Sequence, residues 1–123
     1  MNHAAFDRLI DVEFPEAAAE LDAGDRQSLH DEMAAVARAT ARAIEAGNTS
    51  EVGRHLAVME QVLTAAAADV ENAVYVSYLE GVFLWEERPV FVEARNRLPP
   101  RLARGLFELE EHFAMLAAHV QDP

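Results

Sequence analysis

The chain reads as an all-α protein: one helical domain over residues 1–123, a bundle of four long helices with one to three short ones. Three observations carry that expectation. Apolar residues recur with a period of 3.6, the spacing that gives a helix one buried stripe. Alanine dominates while Gly and Pro number five each, a composition that favours helix. No segment combines alternating polarity with flanking turn dipeptides, the mark of a half-buried strand. At 51% apolar residues the chain has material for a core of its own, at an ordinary domain length.

The elements follow in order. Residues 3–13 form a first helix, with Asn2 as N-cap and Phe6, Leu9 and Ile10 inward. Phe14 precedes proline and is pushed to an extended conformation. Pro15 suits the first turn of a short helix over 15–22, with Glu16 favourable at its positive end and Ala18 and Leu21 inward. Gly24 ends it. Asp25 is expected to cap a long helix to about residue 46, with Leu29, Met33, Val36, Thr40, Ala43 and Ile44 on one stripe. Gly47-Asn48 stops it, and Asn48 with Glu51 resembles a capping box that opens the next helix, to about residue 67. Its inward residues are Val52, Leu56, Met59, Leu63 and Ala66.

Asp69 is expected to cap a further helix after a break. This stretch, VENAVYVSYLEGVFLW over 70–85, is apolar nearly all round, which places it at the centre with neighbours on several sides. Glu86, Glu87 and Arg88 form a polar loop. Pro89 starts a short helix to residue 97, with Glu93 and Arg97 as an i,i+4 pair. Leu98-Pro99-Pro100 is a stop and a restart. The last helix, from 100 to about 119, aligns Leu102, Leu106, Leu109, Phe113, Leu116 and Val120 on one face, with Phe107 off that face and free for a second element or a partner.

Net charge bounds the partners. Ten arginines and no lysine stand against 22 acidic residues, a balance of −12. Such a surface repels nucleic acid and anionic lipid and speeds the encounter with a basic protein. Seven of the acids, Asp7, Asp11, Glu13, Glu16, Glu20, Asp22 and Asp25, fall in the first 25 residues. With no cysteine there is no disulfide and no thiolate chemistry. No run reaches the roughly 18 apolar residues of a membrane span. The N-terminus has no basic region followed by an apolar block, so the expected compartment is the cytoplasm.

Catalytic and metal patterns are weak. No Glu has a His three residues later, as helical di-iron sites require, and His-Glu-x-x-His is absent. Glu108 and His112 are an i,i+4 pair, but His119 lies about 10.5 Å further along the axis, too far to share one ion. No metal and no cofactor are therefore expected. Ser28, Ser50 and Ser77 lie in no nucleophile-elbow context. Glu80, between Ala73, Val76 and Leu84, is the best candidate for a perturbed carboxylate, either raised by burial or paired with Arg101 or Arg104. Tyr75 and Tyr78 combine apolar bodies with polar tips, as binding faces often do. Trp85, followed by Glu86 and Glu87, is the most interface-like patch; its structural alternative is a plug for the end of the bundle.

The run Asn72-Ala-Val-Tyr-Val-Ser-Tyr-Leu-Glu80, with Leu98-Pro-Pro-Arg-Leu102 after it, resembles a group of small, uncharacterised helical bacterial proteins. In these an Asn-x-x-x-Val-Ser-aromatic-Leu-Glu helix precedes a Leu-Pro-x-x-Leu restart. Proteins of that look occur as acidic immunity-type partners of secreted toxins, so the resemblance implies binding and transfers no catalytic residue. The expected function is non-enzymatic: occlusion of a basic toxin domain through Tyr75, Tyr78, Trp85, Glu86 and Glu87, with no nucleic acid or membrane as partner. The alternative is a regulatory domain that forms a homodimer or binds a small ligand beside the central helix.

Overall fold

A computed structural model describes the backbone of residues 1–121 and side chains to residue 119; the inward placement expected of Val120 lies outside the described residues. Helix α1 (His3–Glu13) opens on Asn2, whose side chain accepts the Ala5 N–H at 2.9 Å. Its inner face buries Phe6 and Ile10. Phe14 ends it, buried itself, and Pro15 begins α2 (Pro15–Glu20). Ala17 is the residue α2 buries fully; Ala18 and Leu21 pack at the margin.

Asp25 does not cap the next long helix. Asp22 and Asp25 cap each other instead, each side chain accepting the other's backbone N–H at 2.8 and 3.1 Å. That exchange closes a single 3₁₀ turn, Asp25–Gln27. The helix α3 (Leu29–Glu45) starts after it, with the Ser28 hydroxyl accepting the Asp31 N–H. It ends in the double hydrogen bond of a Schellman cap, Gly47 N–H to Ile44 and Asn48 N–H to Ala43, with Gly47 at φ 70°.

Helix α4 (Thr49–Ala65) opens on Asn48, which accepts the Glu51 N–H at 3.3 Å. The return arm of the capping box is missing, because the Glu51 carboxylate turns to Arg54 and His55. The break before the central stretch falls at Ala66 and Ala67, both extended. Asp69 lies inside the following turn, where its carboxylate accepts the Val70 N–H.

Residues 68–82 form one helical rod in three parts: α5 (Ala68–Ala73), a π-helical segment (Val74–Leu79) and α6 (Glu80–Val82). After it Phe83 is buried and Trp85 turns at φ 59°. Helix α7 (Pro89–Arg95) begins on its proline, and Glu93 meets Arg97 at 2.8 Å. Helix α8 (Pro100–Gln121) is the longest at 22 residues, about 33 Å. Glu60 of α4 caps its start, accepting the N–H groups of Arg101 and Leu102 at 3.0 Å each.

The fold is all-α, with no strand among the described residues. The helix over 68–82 is central, lying between α3 and α8, but the hub is α3, which packs against α1, α2, α4, α7 and the whole of 68–82. Its alanines explain this: Ala35, Ala37 and Ala39 are buried on different sides and let neighbours approach closely. In α8 only the first half of the apolar stripe is sealed. Leu102 and Leu106 are buried, Leu109 and Phe113 are half-buried, and Leu116 is 48% exposed. Leu109 and Phe113 are thus not the fully buried residues their spacing implied, because among the described residues no side chain of α8 beyond Leu106 is fully buried.

Candidate functional site

The polar groups inside the bundle come first, since chemistry would need them. The Tyr78 hydroxyl meets the Thr40 hydroxyl at 2.9 Å, Thr40 meets Nδ1 of His55 at 2.9 Å, and Nε2 of His55 meets Glu51 at 3.1 Å. A hydroxyl, an imidazole and a carboxylate in that order have the connectivity of an activated nucleophile. Thr40 and Tyr78 are fully buried, however, so no substrate reaches the oxygen. Burial holds the His55 ring below its usual pKa and raises the Tyr78 phenol, against the hydrogen bond from Thr40. Both groups stay neutral, and the chain satisfies polar atoms that the core would otherwise strand.

A second cluster joins α1, the 3₁₀ turn and α3. Glu32 is sealed from solvent; its Oε1 lies 2.5 Å from Nε2 of His3, and its Oε2 lies 3.8 Å from Arg26. Arg26 also reaches Asp7 at 3.0 Å and Asp11 at 2.6 Å. Burial, then the hydrogen bond and repulsion from Asp7, push the Glu32 carboxyl up to about 8 against the pull of Arg26. Asp7 moves the other way, lowered by the hydrogen bond from Glu32 and by Arg26. Glu32 is the carboxylate the fold buries completely; Glu80 is half-exposed and meets neither Arg101 nor Arg104 in an ion pair. The guanidinium fills the cationic place among these acids. Among the described residues no group of three or more His, Asp and Glu is arranged to hold a metal ion. On α8, Glu108 faces Arg104 at 3.5 Å and His112 packs edge-on to Phe113.

The five residues expected to bind a partner do not form one surface. Trp85, Glu86 and Glu87 share the turn before α7. Trp85 is 60% exposed, in the left-handed region where a bulky side chain is strained. Glu86 is taken up by Arg88 at 2.8 Å, which lowers its carboxyl and leaves Glu87 as the free charge beside the indole. Arg88 also reaches Glu45 and lies 4.3 Å over the Phe91 ring. Tyr75 is half-buried on the side of α8, while Tyr78 points into the core toward α3 and has no exposed surface. Residues three apart share a face in an α-helix. The wider turn of the π segment separates them.

Spacing did not single out one outward row of α8 as a unit. Phe107, Glu111 and Met115 stand at i, i+4 and i+8, with Glu108 beside them; Phe107 is 60% and Met115 73% exposed. The signal was legible as apolar residues off the core stripe of an otherwise regular amphipathic helix.

Fold and surface together define an all-α protein whose buried Glu32 and His55 lie against groups of the chain itself and whose longest helix carries apolar side chains outward. The chain belongs to the family described as Domain of unknown function (DUF7674), whose profile matches residues 6–114. No curated protein and no solved structure matches it. Among the described residues no helix is long and apolar enough to cross a membrane.

Proposed function

We propose that this is a non-enzymatic binding protein whose partner is a basic protein, in the specific form of an immunity-type protein that occludes the cationic face of a toxin domain. The observation that carries the reading is the row Phe107–Glu111–Met115: two large apolar side chains held in solvent with carboxylates between and beside them. Exposed apolar groups rimmed by charge are what protein interfaces are built from. The charge ledger supports a basic partner. Arg26, Arg38, Arg42, Arg54, Arg88, Arg95, Arg97 and Arg104 stand in ion pairs within the chain, so most of the ten cations are spent internally and the −12 balance faces outward. The sealed position of the Thr40 hydroxyl supports a non-enzymatic role.

Apolar anchors hold a complex together and rim charges speed its formation. Phe107→Ala with Met115→Ala should therefore speed dissociation, and Glu108→Arg with Glu111→Arg should slow association and flatten its salt dependence. The deciding test is co-expression with a neighbouring candidate toxin gene. Rescue of growth with a complex at low salt supports the reading; neither rescue nor complex ends it. A second copy of the chain fits the same exposed helix, and sedimentation of the free protein tells a homodimer from a monomer awaiting a partner.

A further inference from the structure

The end of α4, the 68–82 helix and the first turns of α8 enclose a groove of about 250 Å³, lined by Leu63, Glu71, Tyr75, Arg101, Arg104 and Glu108. Two locally unfavourable features converge there on one side chain. The π-helical segment interrupts the central helix at Tyr75, and such interruptions are frequent at functional sites. Opposite it, α8 carries Gly105 in its interior, where glycine costs about 0.5–1 kcal/mol relative to alanine. A Cβ at Gly105 would lie 2.6 Å from Cε1 of Tyr75, so the ring is laid directly on the α8 backbone. Fold stability alone would favour a regular helix against an alanine.

One charge of the groove is also unusual for this chain, in which eight of the ten arginines stand in internal ion pairs. Arg104 and Glu108 pair with each other at the rim, both largely exposed. Arg101 and Glu71 line the same groove, yet among the described residues neither joins an ion pair, with the other or elsewhere. The start of α8 is not the attraction, since Glu60 already occupies its N–H groups. Burial, then Glu71 and Glu108, raise the Tyr75 phenol against Arg104, so its hydroxyl remains a donor at neutral pH.

We infer that the groove binds a small zwitterion of amino-acid size, its carboxylate on Arg101 and the Tyr75 hydroxyl and its ammonium group on Glu71. The volume sets the size, falling below the roughly 300–1,000 Å³ of pockets that hold drug-sized ligands. One free cation and one free anion set the charge pattern. An anion alone would leave Glu71 unanswered, and a cation alone would leave Arg101 unanswered. The inference does not rest on the partner-binding reading, which concerns the outward row Phe107, Glu111 and Met115; the two surfaces adjoin at Glu108, and none of the variants used below touches that row.

The test is a nuclear magnetic resonance titration of the full chain with a panel of L-amino acids at millimolar concentration, with acetate and methylamine as single-charge controls. At least one amino acid should shift the amides of Tyr75, Arg101 and Gly105 saturably, with acetate and methylamine weaker by about tenfold or more. Arg101→Gln and Glu71→Gln should each weaken that amino acid by about tenfold. Both are surface changes that leave the core intact. Tyr75→Phe, which keeps the ring on Gly105, should weaken it severalfold. The inference is overturned if no amino acid moves those amides, if acetate binds as tightly as the best amino acid, or if Arg101→Gln leaves the affinity unchanged.

Discussion

Helices α3 and α8 break the usual rule in opposite directions. The first buries a glutamate and a threonine; the second holds a phenylalanine and a methionine in water. The difference lies in what answers each exception. Glu32 lies against His3 and Arg26, and Thr40 meets His55 and Tyr78, so the chain itself supplies a counter-group to each of these polar residues of α3, although no donor comes within hydrogen-bond distance of Oε2 of Glu32. Among the described residues nothing covers Phe107 and Met115. An exception compensated internally is architecture, whereas one left open is where a second molecule gains most by binding.

Neighbouring residues of α8 give the widest contrast. Leu106→Ala should cost about 2–5 kcal/mol in chemical denaturation, as truncation of a buried leucine does. Phe107→Ala, one residue on, should stay within about 0.5 kcal/mol of the parent. Leu109→Ala and Phe113→Ala should fall between them. A loss of several kcal/mol at Phe107 would mean that the outward row is covered, and the contrast with α3 would collapse.

Thr40→Val tests the other side. It keeps the shape of the side chain but takes from His55 and Tyr78 the oxygen they share. Leaving a buried donor or acceptor unmade costs about 1–3 kcal/mol, so the variant should lose more than Tyr78→Phe, which removes one arm and leaves Thr40 bonded to His55. If both variants lose the same amount, the hydroxyl of Thr40 is not the shared node.

The Glu32 cluster gives a dependence on pH. Glu32 holds its proton more tightly in the folded chain, about 8 against an ordinary 4.5. Its contribution is complete below pH 4.5 and is lost as the pH rises toward 8, with a slope of at most about 1.4 kcal/mol per pH unit. His55 has the opposite sign. Its lowered pKa means that the unfolded chain takes up a proton the folded chain refuses, so stability is lost as pH falls below 6.5. Glu32→Gln, still able to donate to Asp7, should flatten the alkaline limb in a series of urea titrations and leave the acid limb in place. An unchanged alkaline limb would place the ionisation elsewhere.

What spacing could and could not reveal follows from range. The Asn2 and Asn48 caps, the Glu93–Arg97 pair, the stop at Gly47 and the buried start of the α8 stripe all depend on residues within a turn or two of each other, and each stands as its pattern implied. Ser28-Leu-His-Asp31 was a local cap signal too, but Asp25 competed with it, and mutual capping with Asp22 decided the outcome. Glu32 sat visibly in the core row between Leu29 and Val36, yet its partner His3 lies 29 residues earlier. Tyr75 and Tyr78 share an apolar body and a polar tip, which makes both candidates for a binding face, but no local pattern marks the π segment that parts them.

The smallest expected effect concerns Trp85. The left-handed conformation at φ 59° costs a bulky residue about 1–2 kcal/mol, and glycine removes that strain while losing about 0.5–1 kcal/mol through the entropy of the unfolded chain. The two terms nearly cancel, so Trp85→Gly should change stability by less than about 1 kcal/mol. A loss well beyond that would show that the indole plugs the end of the bundle. As the single tryptophan of the chain, Trp85 also reports on its own surroundings. At 60% exposure its emission should lie to the red and be readily quenched by acrylamide in the free protein. A partner that covers both the Trp85 turn and the outward row of α8 would shift the emission to the blue and protect it. A partner that binds, responds to Phe107→Ala and leaves the quenching unchanged would confine the interface to α8 and remove Trp85, Glu86 and Glu87 from it.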